Sequence, residues 1–481
     1  MQNRLMFIVV VISLIIGAGT LRRGHEWGDD FASYIMQAKS VVNGTTSEFV
    51  EHNSFTIFQS SIQIGPVAYP WGYPLILTPG YIIKGINPLA LKLPGLFFYA
   101  GFLVCLYLLL TPRLTRTESV LLVSIFAFNP LLIQFLDQIL SDIPFLFFST
   151  LSLLLITKEN KRIFIDHILI GVSIFFTAFI RTTGVVLLGV FLIIELHRLI
   201  TNRQNRDVYR QIALPATATC GVFATLWVIN IVLFPGGSES YFAQYAGISL
   251  EAIRAAMGAY FNVFSLFLGN TTGWKYLYYV LVVFFLLGAW QKRRDEPAFI
   301  LFFIIWILVH ITWPLWQGPR FIFPLLPIFI YFTFQGMKFV IGKLPEKFHQ
   351  PGQWLFHGFW LVIAGIFLFS SSINAYFNIQ NGRAINGPFD AYSKQVYKYI
   401  QEETPPDSVI VFFKPRAIRL MTDRDAFMSM ECDRILKGDY LVLSRKVGKN
   451  QQIPPEEIGA CHLPINEVLK NSRFIVYQIS K

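Results

Sequence analysis

Charge is scarce in this chain. Only 14% of its 481 residues are Asp, Glu, Lys or Arg, against about 25% in soluble domains, which excludes an ordinary water-soluble enzyme. Cysteine is scarce too: four residues cannot build a disulfide scaffold. Cys105 and Cys220 fall inside apolar runs as small packing residues. Cys432 and Cys461 lie in the tail, where a disulfide is permitted but the sequence does not show that they meet. Among eight histidines no His-x-x-x-His spacing occurs, and no Cys-x-x-Cys, so a structural metal site has no support. Internal repeats and low-complexity stretches are also missing.

What is abundant is apolar. Hydrophobic residues make up 54% of the chain, and mean hydropathy is +0.51. Runs near the ~20-residue spanning length recur through the first three quarters. They predict eleven membrane helices, at 5–20, 89–110, 119–135, 143–156, 163–180, 184–199, 212–234, 276–290, 298–313, 321–335 and 354–372. The expected class is therefore an α-helical polytopic membrane protein. A cleaved signal peptide is the alternative for the first run, and it leaves the next loop on the same side.

The net charge of +11 raises nucleic acid as a partner, but its distribution excludes that. Lys and Arg gather in alternate short loops: Arg113 and Arg116; Lys158, Lys161 and Arg162; Arg198, Arg203, Arg206 and Arg210; Lys292, Arg293 and Arg294; Lys338, Lys343 and Lys347. The intervening connections at 136–142 and 315–320 hold almost none. This is the positive-inside pattern, and it predicts a cytoplasmic N-terminus and an external tail.

Two external loops, 21–88 and 235–275, interrupt a membrane region spanning 1–373, and a tail of 374–481 follows. In the first loop, Phe31, Tyr34, Ile35, Ala38, Val41 and Val42 recur at helical spacing with polar residues between, predicting an amphipathic helix on the membrane surface. Asn43-Gly44 supplies its stop. The run Tyr69-Pro70-Trp71-Gly72-Tyr73-Pro74 should not continue a helix, and its aromatics suit the headgroup layer. In the second loop, 250–267 reads as another interfacial helix. The tail reads as a small α/β domain, with a helix at 390–403 and strands at 409–413, 440–444 and 474–479.

Asp29 and Asp30 head the first loop helix, where they would lie in water beside the lipid headgroups. Read simply, Asp29 caps the helix and Asp30 favours its positive end. A carboxylate in a partly enclosed site there can also take a proton from an attacking hydroxyl, and the helix N-terminus would keep it ionised. Arg320 ends an external connection and opens a helix containing Pro324 and Pro327. It either snorkels to the interface or grips a lipid phosphate with its planar fork. Arg181, before Thr182-Thr183-Gly184, is a second candidate of that kind. Asp137 and Asp142 flank one short connection, as helix caps or as substrate contacts. Tyr69, Trp71 and Tyr73 stack on a sugar or anchor the loop.

Three segments together resemble the GT-C superfamily of polytopic glycosyltransferases. Gly28-Asp29-Asp30-Phe31-Ala32-Ser33-Tyr34 resembles the acidic motif of the first external loop. Tyr69-Pro70-Trp71-Gly72-Tyr73-Pro74-Leu75 is similar to the Pro-Gly-Tyr-Pro segment later in that loop. Arg320-Phe321-Ile322-Phe323-Pro324-Leu325-Leu326-Pro327 looks like the proline-punctuated start of a late helix. The nearest relatives implied are bacterial enzymes related to protein O-mannosyltransferases and lipid A aminoarabinose transferases. The resemblance implies an inner-membrane glycosyltransferase that acts on the periplasmic face and takes its sugar, a hexose or pentose, from a polyprenyl phosphate, undecaprenyl phosphate above all. Transfer would invert the anomeric carbon, onto an envelope lipid, polysaccharide or protein. Asp29 would be the base, Asp30 its support and Arg320 the phosphate ligand. No cofactor is expected, and a metal has no support. Asp30 stands where the protein O-mannosyltransferase pattern has Glu, and no sugar-binding insert interrupts the chain. The rival readings are a transporter or flippase, which would carry ionisable groups near mid-bilayer, and a non-catalytic envelope scaffold.

Overall fold

The computed structural model describes residues 2–62, 64–158, 163–204, 206–236, 249–313, 318–447 and 450–480. Of the basic residues read for orientation, Lys161 and Arg162 lie outside the described residues, as do the side chains of Arg206 and Arg210. The connection at 314–317 and part of the second loop, 237–248, do so as well.

Every one of the eleven expected runs contains helix. Among the described residues, six helices are long and apolar enough to cross a membrane, from Pro88–Leu110 through Glu346–Gln380, or seven if a bent pair counts as one span. Four shorter apolar helices accompany them: Arg4–Thr20, Asp142–Ile156, Phe164–Ile180 and Pro297–Ile311. At 1.5 Å per residue such helices reach roughly 22–26 Å, short of a ~30 Å hydrocarbon core. The chain is a multi-pass helical membrane protein. The predicted helix 119–135 is corrected to two pieces, Arg116–Ala127 and Pro130–Leu136, meeting at 55°. Asn129 causes the break: its side chain caps the second piece, and Pro130 supplies the first helical position.

Gly288 and Gly336 let two helices cross almost backbone to backbone. A Cβ on Gly288 would stand 1.9 Å from the Phe332 carbonyl oxygen, and one on Gly336 would stand 1.8 Å from that of Phe284. Small residues at such crossings are the usual basis of helix packing in lipid.

One end of the bundle is tied by Arg113–Glu296 at 2.7 Å, between two basic connections, and by Lys338–Glu118 at 2.8 Å, between the ends of the helices Leu326–Ile341 and Arg116–Ala127. The opposite end carries the loop 21–88, which holds three helices, Asp30–Asn43, Thr46–Gln59 and Gly72–Lys84. The last of these was not expected: the run 69–74 continues no helix, but a new one starts within it at Gly72. Pro74 sits in the first turn, where no N–H is needed, and Pro79 is accommodated inside. The surface helix expected at 31–42 is corrected too. Helix Asp30–Asn43 exists and ends at Gly44 with φ +71, but its polar residues Ser33, Gln37 and Ser40 are as buried as Phe31 and Ile35. Its polar face is covered by protein instead of water.

That cover comes partly from the first loop itself, where Gln37 bonds the Tyr69 backbone, and partly from the tail, whose helix Pro415–Thr422 packs on the same helix. Strands β1 (Ile410–Phe412), β2 (Ala426–Phe427), β3 (Tyr440–Ser444), β4 (Ile465–Lys470) and β5 (Phe474–Ile479) form one mixed sheet in the order β2-β1-β3-β5-β4. The pairs β1–β2 and β1–β3 are parallel, the β3–β5 and β4–β5 pairs antiparallel. Asp390 caps the helix Ala391–Glu403 by accepting from the Ser393 N–H at 2.9 Å. Cys432 and Cys461 form a disulfide. The sheet unit and the first loop interlock: the Ser61 N–H donates to Met428 O at 2.8 Å, and Trp27 packs against Phe412, Phe413 and Phe474.

Candidate active site

A cavity of about 480 Å³ opens between the first loop, the bundle end and the sheet unit. Its lining includes Asp29, Asp30, Arg320, His25, Gln138 and Lys414. The sequence candidates Asp29, Asp30 and Arg320 therefore meet, although Asp30 and Arg320 are 290 positions apart.

Asp30 is the fixed member. Arg320 Nη1 donates to its Oδ2 at 2.8 Å, and Tyr69 Oη donates to its Oδ1 at 2.6 Å. Burial raises the carboxyl's pKa, but Arg320 and the Tyr69 hydroxyl outweigh it and hold the group below its ordinary value. Asp30 is thus a permanent anion that orients the Arg320 fork.

Asp29 is different. Its side chain makes no capping bond to its own helix, which corrects the capping reading. It turns instead toward the sheet unit and accepts the Arg416 N–H at 3.2 Å. That N–H lies at the N-terminus of the helix Pro415–Thr422, so a helix end does favour the anion, but it belongs to the tail. Burial dominates all the same and pushes the Asp29 carboxyl up to about 6, against lowering by Lys414 and Arg416. At neutral pH it is still ionised by roughly ten to one, and it is a far stronger base than a solvated carboxylate.

His25 is excluded as the base. It is buried, its Nδ1 bonds Glu26 O at 2.8 Å, and its Nε2 accepts the Ile139 N–H at 3.0 Å. Burial lowers its pKa to about 4, so the ring is neutral and occupied.

The other candidates stand apart from the cavity. Asp137 is spent on structure: it accepts from Lys92 Nζ at 2.7 Å and pairs with the Arg22 guanidinium, fixing the start of the first loop. Arg181 Nη2 stands 2.7 Å from Asp142 Oδ1, and its Nε donates to Ser141 Oγ at 2.9 Å. Ser141 Oγ lies 3.1 Å from Tyr34 Oη, so this group backs the acid-bearing helix from below. Trp71 donates to Pro235 O at 3.1 Å and stacks on Phe234. Tyr73 meets Tyr34 edge-on. Of the three aromatics only Tyr69 reaches the site, through Asp30. No group of three or more His, Cys, Asp or Glu able to hold a metal occurs among the described residues.

No family model and no curated protein matches the sequence. Solved structures do match the fold. ArnT from Cupriavidus metallidurans, solved bound to undecaprenyl phosphate, aligns at 12% identity over 98% of this chain and 97% of that one, with a TM-score of 0.60. The oligosaccharyltransferase AglB from Archaeoglobus fulgidus, in complex with an inhibitory peptide and a dolichol-phosphate, aligns at 11% identity over 99% of this chain and 74% of that one, with a TM-score of 0.55. This chain has the GT-C fold.

Within this GT-C fold, the residues missed in the sequence are those of the tail. Lys414 lines the cavity. Arg416 is completely buried, donating to Asn53 Oδ1 at 3.3 Å, Ile64 O at 3.2 Å and Pro66 O. It clamps the segment that brings Ile62 and Ile64 to the cavity wall. A signal was present: the expected strand 409–413 runs directly into Lys414-Pro415-Arg416, cations on either side of a proline suited to a first helical turn.

Proposed function

We propose that the protein is an inverting glycosyltransferase that moves a sugar from a polyprenyl phosphate to an envelope acceptor. The observation that carries this reading is the convergence of Asp29, Asp30 and Arg320 on one cavity at the non-basic end of the bundle. The acceptor hydroxyl gives its proton to Asp29 as its oxygen forms a bond to C1 of the sugar. The C1–O bond to phosphate breaks on the opposite face, and the polyprenyl phosphate leaves with the electron pair. Charge growing on that phosphate meets the Arg320 guanidinium, already oriented by Asp30. ArnT and AglB have been solved with undecaprenyl phosphate and dolichol-phosphate respectively, which supports a lipid-linked donor here. A donor delivered through the bilayer needs no nucleotide-binding domain.

The bacterial inner membrane is the location that suits this chemistry, with the basic connections in the cytoplasm and the cavity and tail in the periplasm. A transporter would need its ionisable groups along a path through the bundle; here the acids that face a cavity belong to a loop at one end. Intact-glycan mass spectrometry of envelope lipids, polysaccharides and proteins, with and without the gene, tests the reading. A glycan that disappears identifies the acceptor. An unchanged envelope in cells that express the protein counts against transfer.

A further inference from the structure

Lys414 is the cation in the cavity that the transfer reaction leaves unassigned. It is half-buried on the wall contributed by the sheet unit, at the turn between β1 and the helix Pro415–Thr422. Among the described residues its ammonium makes no ion pair within 4 Å and no side-chain hydrogen bond. Arg320, in contrast, is held by Asp30. Asp29 lines the same cavity and is bonded to the backbone of Arg416, two residues beyond Lys414. Holding a cation partly out of water without a partner costs free energy that an incoming anion would return. Asn450 and Gln451 line the same cavity and add neutral amides suited to sugar hydroxyls.

We propose that Lys414 forms an anion subsite for the acceptor, so that the preferred acceptor carries a phosphate or carboxylate near the hydroxyl that Asp29 deprotonates. This rests on the glycosyltransferase reading and adds the chemical class of the acceptor. The geometry divides the labour: Arg320, from the bundle, takes the donor phosphate, and Lys414, from the tail, takes the acceptor anion across Asp29. The Lys414 charge also acts on the Asp29 carboxylate, so an anion bound there stands near the base that activates the nucleophile.

The test uses the full chain in nanodiscs of neutral lipid. Undecaprenyl phosphate binding is measured first, then binding of glycerol 3-phosphate or glucuronate to protein saturated with undecaprenyl phosphate. The two soluble probes separate a phosphate-bearing from a carboxylate-bearing acceptor. The expected result is that Lys414→Gln weakens the preferred soluble probe by tenfold or more and changes undecaprenyl phosphate affinity less than twofold, with Lys414→Arg restoring the probe. Arg320→Gln should show the reverse. If Lys414→Gln weakens undecaprenyl phosphate as much as Arg320→Gln does, Lys414 belongs to the donor and the proposal is overturned. Failure of both soluble probes to bind donor-saturated wild type also overturns it. A wild-type protein that binds no undecaprenyl phosphate overturns the glycosyltransferase reading itself, a distinguishable outcome.

Discussion

Two adjacent carboxylates have been given opposite tasks by their surroundings. Asp30, paired with Arg320 and Tyr69, stays ionised at any physiological pH. Asp29, buried with only a backbone N–H and more distant cations for support, is shifted up to about 6. A raised carboxyl is protonated as pH falls through its own value. Transfer should therefore drop about tenfold per pH unit below 6 and level off above 7. A pH–rate profile with its acidic limb near 4, the ordinary carboxylate range, would remove Asp29 as the base. In the proposed role Arg320 would act through shape as well as charge, since one guanidinium can serve Asp30 and a phosphate together. Arg320→Lys should lose a charge-assisted bond of about 1.5–3 kcal/mol, seen as at least tenfold weaker undecaprenyl phosphate binding. Undiminished binding would show that the phosphate sits elsewhere.

At the scale of elements, most of the helices were legible and their partners were not. Apolar runs announce themselves by length, and the Asn43-Gly44 stop was readable as local chemistry. Helix Gly72–Lys84 was missed because a proline-rich segment argues against helix unless the prolines fall where no N–H is required. The helix at Asp30–Asn43 has an amphipathic pattern, and periodicity alone does not distinguish a water-covered polar face from one covered by a second layer of protein. Asp29 and Arg320 could be singled out as candidates because acids and cations at membrane edges are conspicuous. Lys414 and Arg416 were not, because their importance comes from the docking of the sheet unit 385 or more positions later in the chain. The glycine crossing offers a test of packing. Gly288→Val places carbon against the Phe332 carbonyl, where the gap is already 1.9 Å at Cβ. It should destabilise the bundle by at least about 1–3 kcal/mol, read as a lower thermal midpoint in detergent; an unchanged midpoint would mean the helices do not cross there.

The whole molecule is a helical bundle with a lid built from two distant parts of the chain, and the cavity lies between them. The first loop alone does not form the site, because the Asp29 carboxylate and the segment carrying Ile62 and Ile64 are both held by Arg416. Arg416→Ala should remove its hydrogen bonds to the part-buried Ile64 and Pro66 carbonyls, each a bond to a charged group worth about 1.5–3 kcal/mol. The expected signature is rapid proteolysis of 60–67 with the membrane helices intact by circular dichroism. Wild-type protease resistance would show that the lid does not depend on this clamp. The basic connections at the other end of the bundle fit the proposed arrangement, with the cavity at one end and retained charge at the other.

The most direct measurement is the release of undecaprenyl phosphate from an undecaprenyl-phosphoryl sugar by purified protein in nanodiscs supplied with envelope extract. Wild type should release it only when the extract is present. Asp29→Asn should bind the same donor with unchanged affinity yet release it about 10²–10⁴ times more slowly. Release by Asp29→Asn at the wild-type rate would contradict the assignment of Asp29 as the group that activates the acceptor.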